Sequence, residues 1–257
     1  MTTSVVDCHY SIIGSGPPLF LIHGIGAAED AWRFMLPKLS KHFSVVTYDL
    51  RGHGKSSVTH KNFTLEELVL DLERIREKTK FEKAHFAGHS LGGMIAPAYA
   101  LKFPKHTISL GLLSTVAGRS EGDSKKVWNV IYEMEKNGIE KTLQTLTNRW
   151  FTDEFIKNNS DLVERRLKQV VDTDPEVFLN VFKIYAKTEM SPWLKNISKP
   201  CLLLTGENDS GCSPKHNEIM AQEMIKSKLV ILPNYKHSLL IEAPHAVAES
   251  LINFINE

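Results

Sequence analysis

Short apolar runs alternate along this chain with longer stretches whose apolar residues recur every three or four positions. Leu19 to His23, Val45 to Tyr48, Ala84 to Ala87, Ile108 to Leu113, Cys201 to Thr205 and Leu229 to Leu232 are brief and nearly unbroken. Such runs are expected of strands buried on both faces. Val5 to Ile13, closed by Gly14-Ser15-Gly16-Pro17-Pro18, predicts an opening hairpin. Thr64-Leu65-Glu66-Glu67 is a capping box, and it starts an amphipathic helix reaching about Lys78. Ser213-Pro214 supplies the cap and first residue of another helix, ending near Lys226, and a last one runs from about Ala246 to Phe254. Strands alternating with helices fold as an α/β protein, a mostly parallel sheet with helices on both faces.

The alternation breaks between Val116 and Lys195, where the pattern is helical throughout. Asp123 or Ser124 caps a helix ending at Asn137-Gly138. A second runs from Ile139 to about Trp150, a third from near Ser160 to Thr173, and a fourth from Asp174-Pro175 to near Lys187. Ser191-Pro192 and Lys199-Pro200 punctuate the return to the sheet. The expected organisation is a core of residues 1–115 and 196–257, with a four-helix cap, residues 116–195, over the carboxyl edge of the sheet.

Chemistry enters at Gly88-His89-Ser90-Leu91-Gly92. The strand-like Ala84-His85-Phe86-Ala87 precedes it, and the small, apolar Gly93 to Leu101 follows as a buried helix. That context makes G-x-S-x-G a nucleophile elbow, with glycines where strand and helix approach too closely for side chains. Ser90 is then exposed at the carboxyl end of the sheet.

A serine hydroxyl is a weak nucleophile and needs a base within hydrogen-bond reach, itself oriented by a third group. On a sheet of this kind the order is serine, acid, histidine. Gly206-Glu207-Asn208-Asp209 follows one late strand and Pro233-Asn234-Tyr235-Lys236-His237 follows the last. Asp209 is the expected acid and His237 the expected base. Glu207 and Asn208 share the acid's loop, but the chain must turn before an acid can face His237. Of the eleven histidines, His9, His42, His60, His106, His216 and His245 fall on strand edges, helices or polar loops. The His89 ring is expected to point away from the nucleophile.

The negative charge of a tetrahedral intermediate needs backbone N–H donors. Leu91, following the nucleophile at a helix start, is one expected donor. Ile25, in the loop His23-Gly24-Ile25-Gly26, is the other. The insertion is rich in aromatics, and Trp128 and Trp150 are the candidates for lining an apolar pocket.

Charge removes several classes. Lys and Arg total 31 against 30 for Asp and Glu, so no basic excess favours nucleic acid and no polybasic run favours an anionic membrane. The apolar runs are far too short to span a bilayer. The start, Met1 to Asp7, lacks the basic and apolar regions of a signal peptide. Cys8, Cys201 and Cys212 are odd in number and widely spaced, as expected of reduced thiols in a cytoplasmic protein. Gly54-Lys55-Ser56 lacks the first glycine of a phosphate loop, and Gly14-Ser15-Gly16 lacks the third of a dinucleotide fingerprint. Cys212 and His216 have no second pair to complete a zinc site. No cofactor and no metal are expected, and nothing sets an oligomeric state.

Gly16 to Gly26, Ala31-Trp32, Tyr48 to Ser56 and the elbow together resemble the α/β-hydrolase fold superfamily across essentially the whole chain. The resemblance implies a mostly parallel eight-stranded sheet, a helical cap after the sixth strand, and Ser90, Asp209 and His237 as a catalytic triad. Within the superfamily the chain is similar to carboxylesterases, 3-oxoadipate enol-lactonase-like hydrolases and the non-haem haloperoxidase lineage. Dehalogenases and epoxide hydrolases carry aspartate at the elbow, which Ser90 excludes. The expected function is therefore a serine hydrolase that cleaves a small carboxyl ester or lactone through an acyl-enzyme, its rate falling at acid pH with an apparent pKa of roughly 6–7. The alternatives are carbon–carbon bond hydrolysis of a vinylogous diketone and a small-molecule receptor on the same scaffold.

Overall fold

The protein is described by a computed structural model covering residues 5–257. Met1–Ser4, part of the start at which no leader is expected, lie outside the described residues. The sheet holds β1 (Tyr10–Ile13), β2 (Pro18–Ile22), β3 (Ser44–Tyr48), β4 (Ala84–His89), β5 (Thr107–Leu113), β6 (Cys201–Gly206) and β7 (Ser227–Leu232) in the order β1-β3-β2-β4-β5-β6-β7. All neighbours run parallel except β1, which lies antiparallel to β3 with Tyr10 opposite Tyr48. The predicted opening hairpin does not form, because β2 is flanked on both edges by β3 and β4. β1 can only pair further out. The described residues form seven strands rather than eight, so the insertion follows β5.

The apolar runs are continuous because each strand feeds two layers. Phe20 and Ile22 face the helices Leu65–Thr79 and Gly92–Lys102, with Phe86, Leu110 and Leu112. Leu19 and Leu21 point the other way, onto Trp32 and the terminal helix Pro244–Asn256 through Val247 and Leu251. Alternation along a strand dictates that division. The capping box forms as read: the Thr64 N–H donates to Glu67 (3.0 Å), and the Glu67 N–H donates to the Thr64 hydroxyl (3.3 Å).

Between β5 and β6 lie helices Glu121–Asn137, Ile139–Trp150, Ser160–Asp172 and Pro175–Lys187, with short turns of helix at Asp153–Asn158 and Ser191–Leu194. The first is capped by Ser120, not by Asp123 or Ser124, because the Ser120 hydroxyl accepts from the Asp123 N–H three residues on (3.1 Å). Met134, Leu143, Leu146, Val170 and Phe178 give the insertion its own small core. It is tied to the sheet by ion pairs Arg165–Asp30 (2.8 Å) and Lys61–Asp174 (2.9 Å), and by Asn180 donating to the Phe63 carbonyl (2.9 Å). Among the described residues, no helix is long and apolar enough to cross a membrane.

The topology positions the site. From β2 the chain moves outward to β3 and then crosses back to β4 on the opposite side. The strand order reverses there, and the crevice beyond the carboxyl ends of β2 and β4 is where such sheets bind ligands.

Candidate active site

Ser90 follows β4 with φ at +55°, a left-handed conformation that side chains rarely adopt. The surroundings enforce it. The Ser90 N–H donates to Leu113 O (2.9 Å), and Ser90 O accepts from the Thr115 hydroxyl (2.9 Å) and the Gly93 N–H (3.0 Å). A Cβ on Gly88 would lie 2.0 Å from the Gly92 carbonyl oxygen, and one on Gly92 would lie 2.1 Å from that of Ile22. Both glycines are therefore steric requirements of the elbow.

Asp209 and His237 stand on the loops after β6 and β7. The His237 Nδ1 lies 2.7 Å from Asp209 Oδ2. The other oxygen, Oδ1, accepts from the Gly211 N–H (2.9 Å) and the Cys212 N–H (2.8 Å). A carboxylate bonded on both oxygens fixes the imidazole that donates to it. Glu207 is exposed and accepts from the Asn234 N–H (2.9 Å). Burial works to lower the His237 pKa, but the Asp209 charge and hydrogen bond outweigh it, and the imidazole is pushed up to about 10. Burial likewise opposes ionisation of Asp209, yet the His237 charge and its hydrogen bonds hold its carboxyl below the usual value.

Ser90, Asp209 and His237 line one cavity under the insertion. Ile25 and Trp150 line it too, but Trp128 does not: it stacks on Tyr132, with ring centroids 5.9 Å apart. Val127 and Val130, one turn apart on the same helix, face the cavity in its place. The His89 ring faces His237 and also lines the cavity. It lies 4.9 Å from the His237 ring and its Nε2 donates to His237 O (3.0 Å). Burial first, and the nearby His237 charge second, lower the His89 pKa to about 3, so it is neutral.

The loop after β2 is held by histidines that sequence reasoning passed over. The Leu50 N–H donates to His23 Nε2 (2.9 Å), which puts the His23 proton on Nδ1, where it reaches Gly24 O (2.8 Å). His53 Nε2 accepts from the Gly26 N–H (3.4 Å). Burial lowers both imidazoles, to about 4 and about 3 respectively. Among the described residues, the N–H groups of Ile25 and Leu91 have no acceptor. Buried backbone donors are rarely left unpaired.

Four guanidinium groups line the cavity: Arg33, Arg149, Arg165 and Arg166. Arg33 and Arg165 share Asp30 at 3.7 Å and 2.8 Å. Burial and then the Arg165 charge lower the Arg33 pKa, a sign of crowded positive charge. Arg149 has no carboxylate within 4.0 Å among the described residues. Cys212, buried, groups with Asp209 and His237 within 4.8 Å, and His9, Glu29 and Asp49 form a second cluster. In the first, Asp209 is already bonded on both oxygens, and burial raises the Cys212 pKa, which keeps the thiol protonated. In the second, Asp49 accepts from the Glu29 and Lys55 N–H groups.

Residues 17–173 match a family model described as alpha/beta hydrolase fold, and residues 183–257 match one described as TAP-like protein. The chain is 28% identical to 3-oxoadipate enol-lactonase 1 of Acinetobacter baylyi, covering 94% of this chain and 89% of that one. It is 26% identical to the pimeloyl-[acyl-carrier protein] methyl ester esterase of Vibrio vulnificus, over 96% of this chain and 98% of that one. The crystal structure of the enol-lactonase from Burkholderia xenovorans LB400 superposes with a TM-score of 0.91 at 25% identity, covering 98% of this chain and 97% of that one.

Proposed function

Because this chain belongs to the α/β-hydrolase fold family, we propose that it is a serine hydrolase cleaving a small carboxyl ester or lactone through an acyl-enzyme. The observation that carries the reading is the Asp209–His237 hydrogen bond facing the same cavity as Ser90, whose backbone is held left-handed at the elbow. His237 Nε2 takes the Ser90 proton as the oxygen attacks the carbonyl carbon. Asp209 holds the Nδ1 proton in place and stabilises the imidazolium that forms. The unpaired N–H groups of Ile25 and Leu91 receive the oxyanion, each contributing about 3 kcal/mol to the transition state. Protonated His237 then gives its proton to the departing alkoxide or enolate. Water, deprotonated by the same imidazole, releases the acid and restores Ser90.

Residues 116–195 act as a cap that excludes bulk water and closes the substrate pocket. The positive lining favours an acyl group ending in a carboxylate, with Arg149, which has no carboxylate partner among the described residues, to receive it. Relatives named as an enol-lactonase and a methyl ester esterase support both the lactone and the ester form. Buried, unpaired Cys8, Cys201 and Cys212 suit a reducing compartment, and we place the protein in the cytoplasm. The test is a panel of acyl esters and small lactones, with mass spectrometry for a fluorophosphonate adduct. Turnover with the adduct on Ser90, both lost in Ser90→Ala, is the expected result. Turnover retained by Ser90→Ala overturns it.

A further inference from the structure

Arg166 is a cavity arginine whose hydrogen bonds among the described residues all go to backbone carbonyls. It projects from helix Ser160–Asp172 of the insertion, and its Nη2 donates to Ile25 O (2.8 Å) and its Nη1 to Gly26 O (2.6 Å). Its guanidinium carbon sits 5.0 Å from the centre of the Trp150 ring. Among the described residues no carboxylate lies within 4.0 Å of it. Burial lowers its pKa to about 10, with only the more distant Asp30 charge acting against that. A desolvated cation therefore has two carbonyl oxygens and one aromatic face for compensation.

Those carbonyls belong to the loop that carries the Ile25 N–H. His23 holds Gly24 O from the core side (2.8 Å), and Gly26 N is spent on His53 (3.4 Å). Gly26 has φ at +58°, and a Cβ there would meet the Phe178 ring at 2.7 Å, so the loop has little freedom on the insertion side either. Each trans peptide sets its C=O and N–H in opposite directions. The Gly24 carbonyl shares its peptide with the Ile25 N–H and is held by His23, while Arg166 holds the two carbonyls that follow, so the direction of that donor is set from both sides of the loop.

We propose that Arg166 is a positioning residue: a fork from the insertion that holds the Ile25 N–H in the geometry needed by the oxyanion. The inference rests on the reading of Ile25 as an oxyanion donor. The insertion then does more than cover the site; it supplies half of the scaffold that preorganises it. A lysine cannot replace the fork, since a single ammonium cannot span both carbonyls with the same planar geometry.

The experiment compares wild type with Arg166→Gln and Arg166→Lys on an ester that wild type hydrolyses. It measures kcat and KM, affinity for a boronic acid that forms a tetrahedral adduct on Ser90, and thermal unfolding. Lys61→Ala, which removes the ion pair from Asp174 at the rim of the insertion, is the control for looser attachment. The expected result for Arg166→Gln is a 10- to 100-fold fall in kcat with KM within about threefold. Boronate affinity falls in parallel, Arg166→Lys recovers only part, and Lys61→Ala keeps its kcat. An active wild type whose Arg166→Gln variant retains kcat and boronate affinity, losing only thermal stability or KM, overturns the role of Arg166 alone. A wild type that neither hydrolyses esters nor binds the boronate removes the hydrolase reading and this role with it.

Discussion

Asp209 and His237, 28 residues apart in the chain, are joined by a hydrogen bond of 2.7 Å whose acceptor is itself pinned by two backbone N–H groups. An asparagine at 209 keeps the shape but can present an N–H to Nδ1, and it has no charge to offset an imidazolium. Asp209→Asn is therefore expected to lower kcat by roughly 10³- to 10⁴-fold with the fold intact. Steady-state kinetics on an ester, alongside circular dichroism, checks it. A loss below tenfold would remove Asp209 from the relay.

On the proposed mechanism the same pair sets the pH dependence. His237 must be neutral to accept a proton, and Asp209 pushes its pKa up to about 10 despite burial. Activity should accordingly rise with pH through a midpoint above 7, later than the value of roughly 6–7 that an ordinary imidazole gives. Asp209→Asn should move that midpoint downward, because the raising charge is gone. Stability follows the opposite course. A raised folded-state pKa stabilises the fold in full below the ordinary imidazole range and loses that contribution as pH rises through the raised value. A kcat/KM profile with its midpoint at 6.5 or lower would contradict the pairing.

Substrate charge is testable with two nitrophenyl esters of equal chain length, one acyl group ending in a methyl and the other in a carboxylate. Arg33, Arg149, Arg165 and Arg166 line the cavity, and Arg149 has no carboxylate partner among the described residues. The charged ester should show the higher kcat/KM, by about tenfold at low salt, with the ratio shrinking as salt screens the charges. Arg149→Gln should reduce the ratio several-fold and leave the neutral ester nearly unaffected. Equal rates for both esters at low salt would contradict an anionic acyl group.

How far the sequence reveals this site depends on how local each constraint is. Ser90 was legible because the elbow is a contiguous motif whose glycines are demanded by backbone contacts of 2.0 and 2.1 Å. Asp209 and His237 were legible from their places after β6 and β7, since chain order along the sheet fixes which loops converge. The Arg166 fork joins positions 140 and 141 residues apart, and no periodicity encodes such a pairing. Trp128 shows the limit on a helix: aromatic content marked the segment, but one residue's rotation turned its ring onto Tyr132 and Val127 into the cavity. The contact of the His89 ring with His237 is not legible locally, because only the fold brings the two together. The pairing of β1 with β3 was hidden for the same reason, being decided by which edges of β2 were already taken.

A buried ionic cluster lies outside the cavity-lining residues. Arg51 is fully buried and grips Asp71 with two bonds, Nε to Oδ2 at 2.6 Å and Nη2 to Oδ1 at 2.7 Å, while reaching Glu67 at 3.2 Å. Burial already raises the Asp71 pKa, with Arg51 holding it down. Arg51→Met would leave that carboxylate without its counter-charge, at a cost of about 3–5 kcal/mol, or on the order of 10 °C in Tm for a chain of this size. The deficit should narrow toward pH 5, because the Asp71 pKa, freed of the arginine, rises further and a protonated carboxyl needs no cation. Arg51→Met combined with Asp71→Leu should recover part of the loss at pH 7. Thermal unfolding of the three proteins at pH 5 and 7 checks all of this, and a single-variant loss below about 1 kcal/mol would show that the cluster contributes no more than a surface pair.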